Sequence, residues 1–276
     1  MIKANLLINE MKILFFGDMV GKAARMAIKR ALPAYKKKYG YDVAIANCDN
    51  VAHGKGVTKN TLREIASFGI DIMTCGDHVW DTSESGEIIK SKKEFNFLCP
   101  ANYPRFELDK GFRIFEVNGA KIMVINLIGR VFFQRYPDCP FRAADRIINE
   151  NKGKVKVIVI DFHAEATSEK RALAQYLDSR VSAVCGTHTH VQTADNEVQK
   201  GGTAFISDVG MVGPKDSIIG CKKEVVIEQM ISQIPFKYEI SDDNSAIVNA
   251  VLMDIDEETG KAKSIERISE VLSDVF

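Results

Sequence analysis

The sequence predicts a layered α/β fold in which mixed β-sheets are flanked by α-helices. Short apolar runs alternate with longer amphipathic segments, and one strong hairpin signal lies near the middle of the chain. The 276 residues are 46% apolar and 27% charged, which is enough to bury a substantial core. Since no repeat, low-complexity tract or Gly/Ser-rich linker interrupts the pattern, we expect a single domain over residues 1–276.

Six short apolar runs have the length and composition of buried strands. They cover residues 12–17, 43–46, 70–76, 156–160, 181–186 and 203–207. Four segments between them have a helical pattern, at residues 22–38, 59–68, 142–149 and 168–178. This alternation is typical of helices packed on the faces of a sheet.

Two further apolar runs, at residues 111–117 and 120–126, flank Asn118 and Gly119. Asn-Gly between strand patterns predicts a β-hairpin, so the sheet should contain antiparallel pairs and be mixed. From about residue 247 the chain predicts a strand followed by a second strand or a short helix around an acidic turn. Residues 1–10 precede the first strong strand and are predicted to be an N-terminal extension or a pairing arm.

The charge balance argues against a polyanionic partner. Lysine plus arginine equals aspartate plus glutamate at 37 each, so no overall positive field favours stable binding of nucleic acid or of an anionic membrane. No apolar stretch approaches the ~20 residues that a spanning helix needs. The six cysteines are scattered without a CxxC pair, which favours reduced thiols in a cytoplasmic protein. The sequence leaves a homo-oligomer open.

Polar residues stand directly after five of the predicted strands, where ligands bind in open α/β sheets. They are Asp18, then Asn47, Asp49 and Asn50, then Asp77 and His78, then Asp161 and His163, and finally His188 and His190. Four of the five histidines occupy such positions. One such residue alone is usually a turn or capping residue. Five loops that converge on one edge favour a shared metal site.

Carboxylate, amide and imidazole donors without a thiolate suit iron, manganese, zinc or similar ions. More than four protein ligands indicates two ions with a bridging carboxylate. We therefore expect two divalent or transition metal ions per chain, with iron or manganese as the leading identities and zinc or magnesium as alternatives. Two such ions ~3.5–4 Å apart stabilise both the attacking and the leaving oxygen of a phosphate ester.

Six segments together resemble the YmdB-like bacterial phosphodiesterases, a branch of the calcineurin-like metallophosphoesterase superfamily. They are GDMVGKAAR, IANCDNVAHGKGVT, TCGDHVWD, DFHAEATSEK, GTHTHVQTAD and DVGMVGPKDSIIG. The resemblance extends from about residue 11 to about residue 220 and continues weakly to the end. DFHAEATSEK and GTHTHVQTAD are highly specific, whereas Gly-Asp after a strand is weak by itself. The resemblance implies a layered calcineurin-like fold.

The resemblance also implies residue roles. It assigns seven residues to metal binding, with Asp18, Asn50 and His190 at the first ion, Asp77, His163 and His188 at the second, and Asp49 as the bridge. His78 matches the family's general acid, which protonates the leaving oxygen or stabilises transition-state charge. The alternative role for His78 is hydrogen bonding that supports the ligands.

This chain departs from the family pattern at two of these positions. Asp49 stands where the family usually has Glu, which shortens the reach by one methylene. Asp77 stands where the family usually has Asn before the histidine, which replaces an amide by a carboxylate. The added negative charge should bind a divalent ion more tightly and reduce its Lewis acidity.

Several loop residues are candidates for substrate binding. Lys55, Arg130 and Lys215 are candidate partners for phosphate charge, and His53 and Thr58 follow the bridging carboxylate in the chain. Basic loop residues are usually solvated, and the sequence does not decide whether His53 and Thr58 contact a substrate.

The leading functional hypothesis is hydrolysis of a small phosphodiester, with a 2′,3′-cyclic nucleotide as the substrate that the resemblance implies. A phosphomonoesterase or 5′-nucleotidase is the alternative among enzymes. A metal- and nucleotide-binding regulatory protein is the alternative from another class, because the departures at Asp49 and Asp77 could weaken turnover. The intact His78 argues against that alternative.

Overall fold

A computed structural model describes residues 10–91, 94–104, 111–133 and 136–276. It contains two six-stranded sheets. The first sheet has the order β12-β11-β10-β1-β2-β3, with β1 Glu10–Met19, β2 Val43–Asn47, β3 Ile72–Thr74, β10 Met211–Pro214, β11 Ala246–Asp256 and β12 Ala262–Leu272. The second has the order β4-β5-β6-β7-β9-β8, with β4 Phe112–Val117, β5 Ala120–Ile128, β6 Val157–His163, β7 Ala183–Thr187, β8 Glu197–Val198 and β9 Ala204–Ile206.

Helices cover the outer faces of both sheets. They are α1 Gly21–Tyr39, α2 Lys59–Phe68, α3 Ser85–Lys90, α4 Pro140–Glu150, α5 Thr167–Leu177 and α6 Lys223–Ser232, with a short 3-10 helix at Asp77–Trp80. Apolar residues of α1 and α2 pack in one layer on the first sheet, and those of α4 and α5 pack on the second. This arrangement confirms the predicted α/β fold with mixed sheets flanked by helices.

The central strand β1 shows why the two sheets pack together. Its side chains alternate, because successive residues of a strand point to opposite faces. Leu14 and Phe16 pack toward the helices, whereas Ile13 and Phe15 pack in the apolar layer that residues of both sheets share. All four are fully buried. Full burial of such side chains contributes about 1.5–3 kcal/mol each. Strand β1 therefore packs on one face against the helices and on the other against the second sheet.

The predicted hairpin is confirmed. Val117 pairs with Ala120 in the antiparallel β4–β5 pair, and Asn118 and Gly119 connect them with φ of 50° and 87°. Positive φ at both positions is the type I′ turn that Asn-Gly favours. At the C-terminus, β11 and β12 are antiparallel, so the strand alternative is confirmed and the helix alternative is wrong.

Two features of the fold do not follow from the pattern. The strand periodicity does not reveal that the strands divide between two sheets. Helices α3 and α6 lie where no helix was predicted: α3 has only six residues, and the sequence of α6 lacks a single apolar stripe, with Ile227, Met230 and Ile231 exposed.

Glu10 opens β1 and pairs with Asp256, whereas the remainder of the predicted N-terminal extension, residues 1–9, lies outside the described residues. All six cysteines carry free thiols, and five of them are buried. No helix within the described ranges combines the length and the apolar character needed to cross a lipid bilayer.

Candidate metal centre

The eight predicted site residues meet where the carboxyl ends of strands from both sheets come together. The first sheet supplies Asp18 near the end of β1, Asp49 and Asn50 after β2, and Asp77 and His78 after β3. The second supplies His163 at the end of β6 and His188 and His190 after β7. Parallel strands end at a common edge, and both sheets turn that edge toward the same place.

Asp18 presents a buried oxygen with no hydrogen bond. Its Oδ2 accepts the backbone N–H of His188 at 2.9 Å. Within the described residues its Oδ1 has no hydrogen-bond partner and is fully buried. The nearest ring nitrogens are His163 Nδ1 at 3.6 Å and His190 Nε2 at 3.9 Å. Since a buried polar atom normally has a partner, this oxygen fits a metal ligand.

Hydrogen bonds select the tautomer of His163. Thr187 Oγ1 donates its single proton to Asp161 Oδ1 at 2.8 Å, so it accepts from His163 Nδ1–H at 3.0 Å. The lone pair of His163 Nε2 then points at Asp77 Oδ1, 3.2 Å away, and at Asp49 Oδ2, 3.5 Å away. A lone pair that faces carboxylate oxygens is repelled by them, and a cation bound between them would remove this repulsion.

His188 is oriented in the same way by an acidic side chain. Its Nε2 lies 3.1 Å from Glu165 Oε2, which accepts the ring N–H. The other nitrogen, Nδ1, lies 3.0 Å from His163 Nε2. A carboxylate behind an imidazole is the usual arrangement that fixes the orientation of a metal-binding histidine and raises its basicity.

His190 and Asn50 form the third such group. His190 Nδ1 donates to the carbonyl of Ile219 at 2.8 Å, which leaves Nε2 as an acceptor. Asn50 Nδ2 donates to the carbonyl of Gly54 at 3.0 Å, so its Oδ1 is turned inward and lies 3.3 Å from His190 Nε2. Both inner atoms carry lone pairs, as metal ligands do.

Burial opposes charge on both kinds of ligand. It raises the pKa of Asp18, and burial together with the charge of Asp77 raises the pKa of Asp49 to about 7. Burial lowers the pKa of His163 to about 3 and also lowers the pKa of His190. The imidazoles are therefore neutral and do not neutralise the carboxylates. The cluster fits a site whose balancing charge is a bound cation.

His78 differs from the other three histidines of the cluster. Burial disfavours its charged form, but the carboxylates of Asp49, Asp77 and Asp81 outweigh burial and raise the pKa of His78. Its Nδ1 lies 2.8 Å from Asp81 Oδ2, and its backbone N–H donates to Asp49 Oδ2 at 3.1 Å. The side chain is 25% exposed, so its ring can reach a bound molecule.

Two buried residues that the sequence placed at strand ends without a role prove to support the cluster. Asp161 accepts hydrogen bonds from Asn47 Nδ2 at 2.8 Å and from the hydroxyls of Thr74 and Thr187. Asn47 Oδ1 in turn accepts the backbone N–H of Asp49 at 2.9 Å. Burial raises the pKa of Asp161 to about 6, although these hydrogen bonds favour its charged form. This network connects the two sheets behind the ligands.

A buried ion pair holds the loop that carries two histidines. Lys170 Nζ lies 2.8 Å from Asp208 Oδ2, and both side chains are at most 1% exposed. Asp208 also accepts the backbone N–H of Thr189 at 3.0 Å, between His188 and His190. These histidines have φ of 101° and 66°, which costs roughly 1–3 kcal/mol each. Sequence reasoning missed the pair, although a lysine on the apolar side of α5 was a signal for it.

Gly76 allows the first sheet to approach the second. A Cβ at this position would lie 2.1 Å from the His163 ring. Every other residue would therefore push β3 and the following 3-10 helix away from β6. The close approach brings Asp77 to His163.

The other loop candidates have mixed outcomes. Thr58 is the N-cap of α2 and accepts the backbone N–H of Thr61 at 3.2 Å, so its position has a structural explanation. Lys55, Lys215 and His53 are exposed. Nothing in their contacts assigns them to a substrate.

The sequence is similar to that of known proteins over almost its whole length. A family model described as YmdB-like protein matches residues 14–268. A curated relative from Bacillus subtilis, named 2′,3′-cyclic-nucleotide 2′-phosphodiesterase, is 44% identical over 94% of this chain and 96% of its own length.

Solved structures agree with these matches. The crystal structure of a phosphatase from Mycoplasma pneumoniae has a TM-score of 0.89 at 33% identity and covers 97% of this chain and 96% of that one. A Thermus thermophilus protein of 34% identity has a TM-score of 0.84 and covers 95% of this chain and 99% of that one. The resemblance seen in the sequence is confirmed, and the chain belongs to the YmdB-like protein family.

Proposed function

We propose that this chain is a dinuclear metal-dependent phosphodiesterase that opens 2′,3′-cyclic nucleotides at the 2′ ester. One observation carries the metal dependence: the inner ring nitrogens of three neutral imidazoles lie 3.5–3.9 Å from carboxylate oxygens of Asp49, Asp77 and Asp18, an arrangement that a bound cation makes favourable. The substrate class comes from the name of the Bacillus subtilis relative. A 2′-phosphodiesterase breaks the bond to the 2′ oxygen and leaves the phosphate on the 3′ oxygen.

The proposed ligand sets are those that the family resemblance implies, and the close grouping of Asp77, His163 and His188 supports one of them. Asp18, Asn50 and His190 would hold one ion, Asp77, His163 and His188 would hold the other, and Asp49 would lie between them. Oxygen and imidazole donors suit iron or manganese, with zinc and magnesium as alternatives. When bound, two such ions supply positive charge that polarises the phosphate and makes water more acidic.

His78 would act as the proton donor. Asp81 accepts its Nδ1–H at 2.8 Å, which leaves Nε2 to carry the proton that is transferred. The departing 2′ oxygen of the ribose needs this proton, because an alkoxide is a poor leaving group. Asp49 holds the backbone of His78 at 3.1 Å, so the donor is fixed relative to the ligands.

The test combines metal analysis with a substrate panel. Freshly purified protein should contain two metal ions per chain and should convert 2′,3′-cyclic AMP to 3′-AMP, followed by chromatography. Hydrolysis of 5′-AMP at an equal or higher rate would instead assign the chain to the 5′-nucleotidases. Tight binding of the cyclic nucleotide without turnover, with iron, manganese, zinc and magnesium each supplied, would favour a regulatory role.

A further inference from the structure

A cavity beside the metal centre has no role in the function proposed above. The loop between β5 and α4 passes next to His188, and the ring centroid of Phe133 lies 4.9 Å from that of His188. Phe133 also lines a cavity of about 420 Å³ together with Arg130 and Tyr136. The cavity therefore opens beside His188, where the part of a bound substrate that does not contact the metals would lie.

Hydrogen bonds hold residues 129–131, at the start of this loop, in a fixed position relative to the ligands. The backbone N–H of Gly129 donates to the carbonyl of His163 at 2.9 Å. The backbone N–H groups of Arg130 and Val131 donate to the carboxylate of Glu169 at 3.0 and 3.2 Å. Glu169 is only 9% exposed and belongs to the helix that follows the His163 strand. The metal-binding strand and the cavity wall thus form one hydrogen-bonded unit.

Arginine side chains make the adjoining cavity positive. It measures about 480 Å³ and is lined by Arg130, Arg142 and Arg146, with Asp138 as an acidic neighbour. Within the described residues, none of the three arginines forms an ion pair. Three guanidinium groups against one carboxylate leave the lining with a net positive charge.

The acid that stands between two of these arginines in α4 does not neutralise them. Asp145 lies between Arg142 and Arg146 in α4, but it binds Arg180 at 2.6 Å and the hydroxyl of Tyr176 at 2.6 Å. The whole chain has a net charge of zero. The three guanidinium groups, which form no ion pair with another described residue, therefore make the cavity locally positive, and their chemistry suits a planar or tetrahedral anion.

We infer that the arginine-lined cavity binds a second phosphate group of the substrate, on the 5′ side of the nucleoside whose cyclic phosphate lies at the metals. Arg130 lines both cavities, so they form a continuous path from Phe133 to Arg142 and Arg146. The 5′ carbon lies on the side of the ribose away from the 2′ and 3′ oxygens. This inference rests on the proposed function and names the substrate class more closely.

The second phosphate has two chemical sources. It is either the terminal 5′-phosphate of a mononucleotide or the internucleotide phosphate of a short RNA that ends in a 2′,3′-cyclic phosphate. Both present negatively charged non-bridging phosphate oxygens to the arginines, the terminal monoester with the larger charge. Their relative rates in the experiment below distinguish them.

The experiment compares kcat/KM of the metal-loaded enzyme for three substrates: 2′,3′-cyclic AMP, its 5′-phosphorylated form, and the dinucleotide ApA with a terminal cyclic phosphate. At least one phosphate-bearing substrate should exceed the simple one about tenfold, mainly through KM, which corresponds to ~1.4 kcal/mol. This ratio should fall from low to high salt, because solvent-exposed charges are screened. A ratio near one at low salt would overturn the inference even if 2′,3′-cyclic AMP is hydrolysed well.

Variants locate the effect. Arg142→Ala with Arg146→Ala should bring the ratio toward one, whereas the corresponding double change to Lys should keep part of it. The control is Lys37→Ala with Lys38→Ala, which removes the same charge from exposed positions at the far end of α1, ~25 Å from its first residue. An unchanged ratio in the arginine variant, or a changed preference among bases with no change in this ratio, would contradict the inference.

A binding measurement keeps the inference testable without turnover. Adenosine 3′,5′-bisphosphate should bind more tightly than 3′-AMP by calorimetry, and the arginine double variant should lose this difference. Equal dissociation constants in the wild type would contradict the second-phosphate site. Failure of all substrates to react, with this binding difference present, would reject only the proposed hydrolysis.

Discussion

The two sheets contribute opposite kinds of ligand to the metal centre. The sheet that contains β1, β2 and β3 supplies carboxylates and an amide, whereas the sheet that contains β6 and β7 supplies imidazoles. Burial raises the pKa of Asp18 and Asp49 on the first side and lowers the pKa of His163 and His190 on the second. The neutral imidazoles of His163 and His190 therefore do not neutralise Asp18 and Asp49, whereas the histidines around Asp77 lower the pKa of that carboxyl. A bound cation would balance the charge of the carboxylates and accept the lone pairs of the imidazoles.

The two sides also differ in how their ligands are oriented. Backbone N–H groups orient the carboxylates, as Gly76 and His78 do for Asp49. Acceptors behind the rings orient the imidazoles, as Glu165 does for His188. The first arrangement depends on the course of the backbone, whereas the second depends on side chains for His163 and His188 and on the carbonyl of Ile219 for His190. Mutation of supporting side chains should therefore affect the imidazole side more.

Removal of both metals should have the largest effect. Chelation should abolish hydrolysis of 2′,3′-cyclic AMP and lower the Tm in calorimetry, because the buried carboxylates then lose their balancing charge. At a free metal concentration 100 times Kd, each ion stabilises the folded state by ~2.7 kcal/mol. Addition of manganese to the chelated protein should restore both quantities. An unchanged rate of hydrolysis after verified metal removal would contradict the proposed metal dependence.

Loss of one imidazole should remove one ion. His190→Ala should lower the metal content by about one ion per chain, because the proposed sites share Asp49 but not their histidines. Metal analysis of the purified variant checks this. His53→Ala is the matched control, since His53 is the exposed histidine that lies outside the ligand set. Retention of two tightly bound ions in His190→Ala would show that His190 is not a ligand.

His78 should affect turnover without affecting metal content. General acid catalysis contributes on the order of 10²–10⁴ in rate, so His78→Asn should lower kcat within that range. The loss should be smaller for a nitrophenyl ester, because nitrophenolate leaves without protonation. An equal loss with good and poor leaving groups, or loss of metal, would assign His78 to support of the ligands instead.

Glu165 should give the smallest of these effects. Removal of the acceptor behind a metal-binding histidine typically costs 10–100-fold in metal affinity or activity, and we expect about tenfold for Glu165→Ala because this side chain is 48% exposed. Glu165→Gln should retain part of the affinity, since the amide oxygen still accepts the ring N–H.

Metal titration followed by calorimetry measures the affinity. Glu197→Ala is the control, because Glu197 is similarly exposed and is likewise paired, with Arg171. If both variants bind metal as the wild type does, Glu165 does not orient His188.

The sequence by itself determined the α/β class, the hairpin at Asn118-Gly119 and the positions of the eight candidate site residues. These features depend on local periodicity, turn preferences and the rule that parallel strands end at a common edge. Family motifs such as DFHAEATSEK added the expected roles. None of these signals needs information about which distant segments touch.

Only the tertiary structure decided how the ligands are supported and what lies beside them. Asn47 and Asp161 are 114 residues apart, and the hydrogen bond between them follows from the packing of one sheet on the other. The ion pair of Lys170 with Asp208 joins α5 to the loop after β9. The cavity of Arg130, Arg142 and Arg146 likewise depends on how a loop meets a helix. Such contacts have no local period, because they arise from the packing of whole elements.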